Sequence, residues 1–191
     1  MYVPRSRADV QTMRRRSIAQ LVLFGLLAIC LWSVASPAAA GPSSRAVPIQ
    51  SLESGVLAEL NAFRRAHGLG PLRLSSALSA AARQHSMEMA GRGYFSHSSA
   101  NGSTFDKRIA RFYPMGFHHF WSVGENLLWS SPDVDASHAV TMWINSPEHK
   151  ANMLSRRWRE IGLSAVHATA APGTYAGRPV TIVTTDFGVR K

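Results

Sequence analysis

Three short stretches hold the residues whose types and spacing could do chemistry: Tyr94-Phe95-Ser96-His97, then Gly124-Glu125-Asn126, then Trp143 to Leu154, which contains Ser146-Pro147-Glu148-His149 and Asn152. Histidine is a frequent metal ligand and the side chain most easily tuned near neutral pH. A carboxylate beside it can orient the imidazole, ligate a divalent cation or act as a general base. His97, Glu125 and His149 together would therefore suit a divalent cation such as Zn²⁺, a hydrolytic site, or a hydrogen-bonded internal brace. Each residue alone is ambiguous, since a loop histidine commonly bonds to backbone and an acid flanked by glycine can be a surface turn. The chemistry depends on whether the three stretches meet.

The elements that must bring them together are legible from periodicity and breakers. Leu52, Val56, Leu57, Leu60 and Phe63 recur at helical spacing from Ser51, and Gly68-Leu69-Gly70-Pro71 ends that run. Ser75 and Ser76 are N-cap candidates for a second helix with Leu78, Ala81, Ala82, His85, Met89 and Ala90 on its inner face, closing at Gly91-Arg92-Gly93. Its alanines predict close packing. Between Tyr94 and Val123 the chain reads mainly as loop, with a short helix from about Thr104 to Phe112. Leu127, Leu128 and Trp129 read as a short extended or irregular piece, and Ser131-Pro132-Asp133 opens a third substantial helix running to Ile144. Pro147 suits the first turn of a new helix with Ser146 as its cap, which would hold His149 at a helix start and Asn152 one helical step on.

The remainder changes character. Ile161 to Val166 alternates as a strand, Ala171 to Pro179 makes a loop, and Val180 to Val189 reads as an antiparallel partner. Helices mostly ahead of strands predict an α+β class, with a third strand drawn from a segment otherwise irregular.

At the N-terminus, Arg5, Arg7, Arg14, Arg15 and Arg16 precede an apolar run from Ile18 to about Val34 and then Ala38-Ala39-Ala40. That order is a secretory signal peptide over residues 1–40, with an uncleaved N-terminal membrane anchor as the alternative. Either reading exports the rest: a flexible leader over 41–50 and one domain over 51–191. Cys30, the one cysteine, lies in the apolar run, so the exported part has no thiol for a disulfide, a nucleophile or a ligand. The chain carries a net charge of +10, to which residues 1–40 contribute five arginines against Asp9, leaving +6. No nucleic-acid-reading motif accompanies the scattered basic residues, which suit an anionic envelope, a lipid headgroup or solubility, and nucleic acid is not an expected partner.

The order Gly-Tyr-Phe-Ser-His, Gly-Glu-Asn, Trp-x-x-Ser-Pro-x-His-x-x-Asn-x-Leu and Glu-Ile-Gly-Leu, spread over Leu57 to Phe187, resembles the CAP superfamily of cysteine-rich secretory, antigen 5 and pathogenesis-related 1 proteins, in its cysteine-free bacterial branch. The resemblance implies an α-β-α sandwich, with a small antiparallel sheet between helical layers and a central cleft. Carried over motif by motif, it implies His97, Glu125 and His149 in that cleft, with Asn126 and Asn152 beside them. Where eukaryotic relatives place an acid, this chain has Ser146; Glu160 is the first replacement candidate and Glu148 the second.

The resulting expectation is a secreted or envelope protein that binds a ligand or partner without catalysis. A lipid or envelope component is the expected ligand class, and membrane contact is expected only through the N-terminal segment. No cofactor is required, and a Zn²⁺ or other divalent cation on His97 and His149 is the candidate metal. The alternatives are a metal-dependent, protease-like hydrolase using His97, Glu125 and His149, and a structural domain whose polar cluster is a brace.

Overall fold

Residues 45–191 are described in the structure, a computed structural model; the expected signal or anchor and residues 41–44 of the expected leader lie outside them. Within the described residues β1 (Val47–Pro48) leads into α1 (Gln50–Ala66), and β2 (Arg73–Leu74) leads into α2 (Ser76–Arg92). Then come α3 (Phe105–Ala110), β3 (Trp121–Ser130), α4 (Ala136–Ile144) and α5 (Pro147–Met153), and finally β4 (Glu160–Ala171) and β5 (Arg178–Arg190). The end of the expected leader is not free chain: Ala46 is buried, and Val47 and Pro48 pair antiparallel with His167 and Val166. Strand pairing captures those residues because the outer edge of β4 needs partners.

The sheet is ordered β1-β4-β5-β3, with β2 parallel to β4. The expected hairpin is β4–β5, antiparallel with Ile161 opposite Phe187. The expected third strand is β3, ten residues long rather than a short irregular piece, and antiparallel to β5. Gly124 does not bend it; its missing side chain lets Asn152 and Trp158 approach to 2.8 Å of where a Cβ would stand.

Helices cover both faces. On one, Leu52, Val56 and Leu60 of α1 and Val140 and Trp143 of α4 pack with Ile161, Leu163, Val183 and Phe187. On the other, Leu78, Ala81, Ala82, His85 and Met89 form the buried stripe of α2, and its alanines permit the close packing their positions predict. Ser75 caps α2 by accepting a 3.4 Å bond from the Leu78 amide, and Gly93 ends it in the left-handed conformation. This is the α-β-α sandwich.

The tightest approach in that packing is at Gly162, where an added Cβ would stand 2.1 Å from the Leu78 carbonyl carbon and 2.2 Å from the Ser79 nitrogen, both helix backbone. Gly91, by contrast, is exposed in the last turn of α2 with nothing within 4 Å of its Cβ position. Gly162→Ala is expected to lose about 3 kcal/mol by overpacking, and Gly91→Ala to gain up to ~1 kcal/mol of helix propensity. Urea denaturation of the two variants checks both signs.

Candidate functional site

Glu125 sits in mid-strand on β3, facing α2 and α3, in a row with Asp186 of β5 and Gly162 of β4. Its side chain is fully buried. One carboxylate oxygen is 2.8 Å from Nδ1 of His97, and the other accepts a close bond from Arg108 of α3, whose guanidinium is also buried. A buried carboxylate needs such partners. Both oxygens being engaged, Glu125 acts as the group that orients His97, the first of the three roles open to it.

His97 lies on the loop between α2 and α3, and that loop is fastened from several sides. Arg108 donates to the His97 carbonyl at 3.0 Å, and buried His85 bonds the Ser96 carbonyl at 2.8 Å. Tyr175 donates to the Tyr94 carbonyl, and Thr174 to that of Gly93. The ring is about half exposed, and Nδ1 is the nitrogen that Glu125 holds.

His149 arrives from α5. Pro147 occupies the first turn as expected, although Ser146, at the cap position, makes no capping bond with its side chain. The helix is pinned to β3 instead: buried Asn126 donates to the His149 carbonyl at 3.1 Å, and Asn152 donates to the Glu125 carbonyl at 3.1 Å and to Asn126 Oδ1 at 3.0 Å. Asn126 and Asn152 thus brace the site from behind. Burial, and then the neighbouring His97, hold the His149 pKa below its ordinary value, so the ring is neutral near pH 7.

Glu160 is not brought to this cluster. It starts β4, two strands away from β3, roughly 10 Å at ordinary strand spacing, and its carboxylate takes a close bond from Tyr113 and pairs with Arg73 at 3.6 Å. Glu148 is exposed on α5. With Ser146 in place of an acid and Glu125 engaged twice, His97 and His149 have no third donor: among the described residues no His, Cys, Asp or Glu trio is placed to hold a metal ion. Zinc sites use three or four protein ligands, so this donor set does not fit a zinc centre.

Two members of the cluster escape sequence reading. Arg108 lies in the expected short helix, where an arginine is ordinarily a solvated residue. Asp186 does leave a signal, an acid inside the otherwise Val/Ile/Thr/Phe run of β5. It is fully buried, and neither oxygen accepts a hydrogen bond from a described residue. Burial first, and then the charge of Glu125 beside it, raise its pKa well above its ordinary value, which favours the protonated form.

Removing the cation from this buried pair, by Arg108→Met, is expected to cost about 3–5 kcal/mol by leaving Glu125 uncompensated. Asp186 has the opposite sign. A folded pKa raised above the unfolded ~3.9 means stability is present below that pH and is lost as pH rises through the folded value. Asp186→Asn removes that loss, so its stability relative to the parent should grow with pH above about 4, and denaturation across pH decides it. Equal pH profiles would mean that Asp186 does not carry the proton.

Comparison with known proteins bears on this geometry. Residues 57–185 match the CAP family described as the cysteine-rich secretory protein family. The chain is 30% identical over 121 residues to the uncharacterized protein YkwD of Bacillus subtilis (strain 168), covering 63% of this chain and 44% of that protein. Among solved structures, an extracellular SCP-domain protein of Bacillus anthracis str. Ames is similar at TM-score 0.57 and 25% identity over 74% of this chain and 41% of that one. An outer surface protein of Borrelia burgdorferi shares the fold at TM-score 0.65 and 19% identity, over 78% of this chain and 99% of that one. The chain thus spans less than half the length of the curated relatives it matches. With the sandwich in place and the family match running through all three motifs, the chain belongs to the CAP family of cysteine-rich secretory proteins.

Proposed function

We propose that this protein is an extracellular, non-enzymatic binding module whose ligand is an amphipathic molecule such as a fatty acid. The observation that carries this reading is a groove of about 290 Å³ lined by Phe95, Leu127, Trp129, Met142 and Trp143, with His149 and Ser146 also on its wall. Phe95 and Met142 are each 36% exposed, whereas Trp143 and Leu127 are buried beneath them. An apolar chain has a seat there, and a polar head would meet the His149 imidazole on the groove wall. Extracellular placement is supported by the signal-like order of residues 1–40 and by neighbours that are an extracellular and an outer surface protein.

The 2.8 Å His97–Glu125 bond is also how a general base is held, which favours the hydrolase as the second reading. Arg108 works against it. A guanidinium on the same carboxylate offsets the negative charge that would otherwise stabilise an imidazolium on His97.

Titration with oleate is expected to be saturable, and His149→Ala to weaken it about tenfold, the size of one charge-assisted hydrogen bond. An anionic head favours protonated His149, whose pKa lies below ~6.5, so affinity should rise as pH falls through that range. A metal ion would show the opposite trend, because its ligands must be deprotonated. Absence of saturable binding at every pH sinks the lipid reading, and ester or peptide hydrolysis abolished by His97→Ala would replace it with the enzyme.

A further inference from the structure

The end of the sheet where β3 and β4 begin and β5 finishes combines two features that the cleft does not use. The first is the segment leading into β3. Phe117 is fully exposed, at 105%, and Met115 and Phe120 are 45% and 44% exposed. This loop is not a loose tail: the His119 and Phe120 amides donate to the Lys191 carbonyl at 2.6 and 3.0 Å, and Arg190 donates to Pro114 at 3.2 Å. The fold thus holds a large apolar side chain out in water on a fastened loop, at a cost that burial elsewhere would recover.

The second feature is positive charge. Arg156, Arg157 and Arg159 precede β4, and Arg190 ends β5. None of the four forms an ion pair among the described residues, and the nearby acid, Glu160, is engaged by Tyr113 and Arg73. Arg157 reaches Ser122 Oγ at 3.3 Å, which places the arginine turn next to the start of β3. Behind this turn is a cavity of about 450 Å³ lined by Arg64, Arg156, Arg159 and Trp158. Buried Arg64 donates to the carbonyls of Gly70, Met153 and Ser155 through Nε and one terminal nitrogen, and its other terminal nitrogen bonds no described residue. Burial, and then the charge of Arg159, lower the Arg64 pKa, so an anion in the cavity would relieve a repulsion already present.

We propose that this end of the sheet docks on an anionic lipid surface, with the Phe117 loop entering the headgroup–acyl boundary and the arginines meeting lipid phosphates. The apolar and cationic parts are the two components that interfacial binding requires, and neither alone anchors a protein stably. The surface is separate from the groove at His149, and its use does not depend on what that groove binds.

The test places a reporter where insertion is expected. In the full chain, Phe117→Trp is mixed with vesicles of brominated phosphatidylcholine and phosphatidylglycerol, and its emission is compared with that of the parent chain. The tryptophan at 117 is expected to shift blue and be quenched on the mixed vesicles but not on brominated phosphatidylcholine alone. Adding Arg156→Glu should weaken this by about fivefold for each positive charge removed. Arg156 is a clean choice, because its side chain bonds no described residue. Arg45→Glu, before β1 and away from this end, is the control and should change little. An unquenched residue 117 on anionic vesicles would assign the exposed loop to a protein partner and overturn the proposal. Equal quenching on both lipids, or equal effects of Arg156→Glu and Arg45→Glu, would overturn it as well.

Discussion

The ion pair between Arg108 and Glu125 is the constraint from which the rest of the cleft follows. A carboxylate in the interior of a sheet costs several kcal/mol unless a cation and hydrogen bonds compensate it, and here α3 supplies the cation while the loop before it supplies the imidazole. The same guanidinium bonds the His97 backbone, so one side chain neutralises the acid and positions the residue that the acid orients. Asp186, opposite Glu125 across the β3–β5 ladder, is then a second acid in a space that admits only one negative charge. Burial first, and then that neighbouring charge, raise its pKa.

Two glycines let the helices close over this face of the sheet. Gly162 lets the backbone of α2 settle onto β4, and Gly188 leaves room for Leu78 and Tyr113. The edges of the sheet are closed in the same economical way. Along β4, the Ser75 amide, Ser79 Oγ, Glu53 and the Ile49 amide satisfy successive backbone groups. Along β3, Asn152 and Trp143 cap the carbonyls of Glu125 and Leu127. Asn126 and Asn152 are thus fastenings between α5 and the otherwise unpaired edge of β3.

Two surfaces of different chemistry are built on this frame. One is a groove, apolar with the His149 imidazole on its wall; the other, at the end of the sheet, is basic and apolar together. The loop beside the groove is fastened by His85, Arg108 and Tyr175 bonding its backbone, and the loop at the sheet end by the Lys191 carbonyl and Arg190.

What the sequence determined by itself is the local and the contiguous. The stripes of α1 and α2, the Ser75 and Gly93 boundaries, the Pro147 turn and the β4–β5 hairpin are set by residues a few positions apart, where periodicity and backbone preference act. The three motifs also pointed to His97, Glu125 and His149 together; in the fold Glu125 bonds His97, and His97 is near enough to His149 to lower its pKa. What only the tertiary structure decided is who pairs with whom. Glu160 looked as available as Glu125, but strand order puts it two strands away beside Tyr113. Ser146 stands at the cap position without a side-chain capping bond, and the bonds of Asn126 and Asn152 run between α5 and the edge of β3. Arg108 and Asp186 became central only because sheet register and helix docking bring them against Glu125. Electrostatic pairing depends on distance in space and on the exclusion of water, and neither exists until the layers have closed.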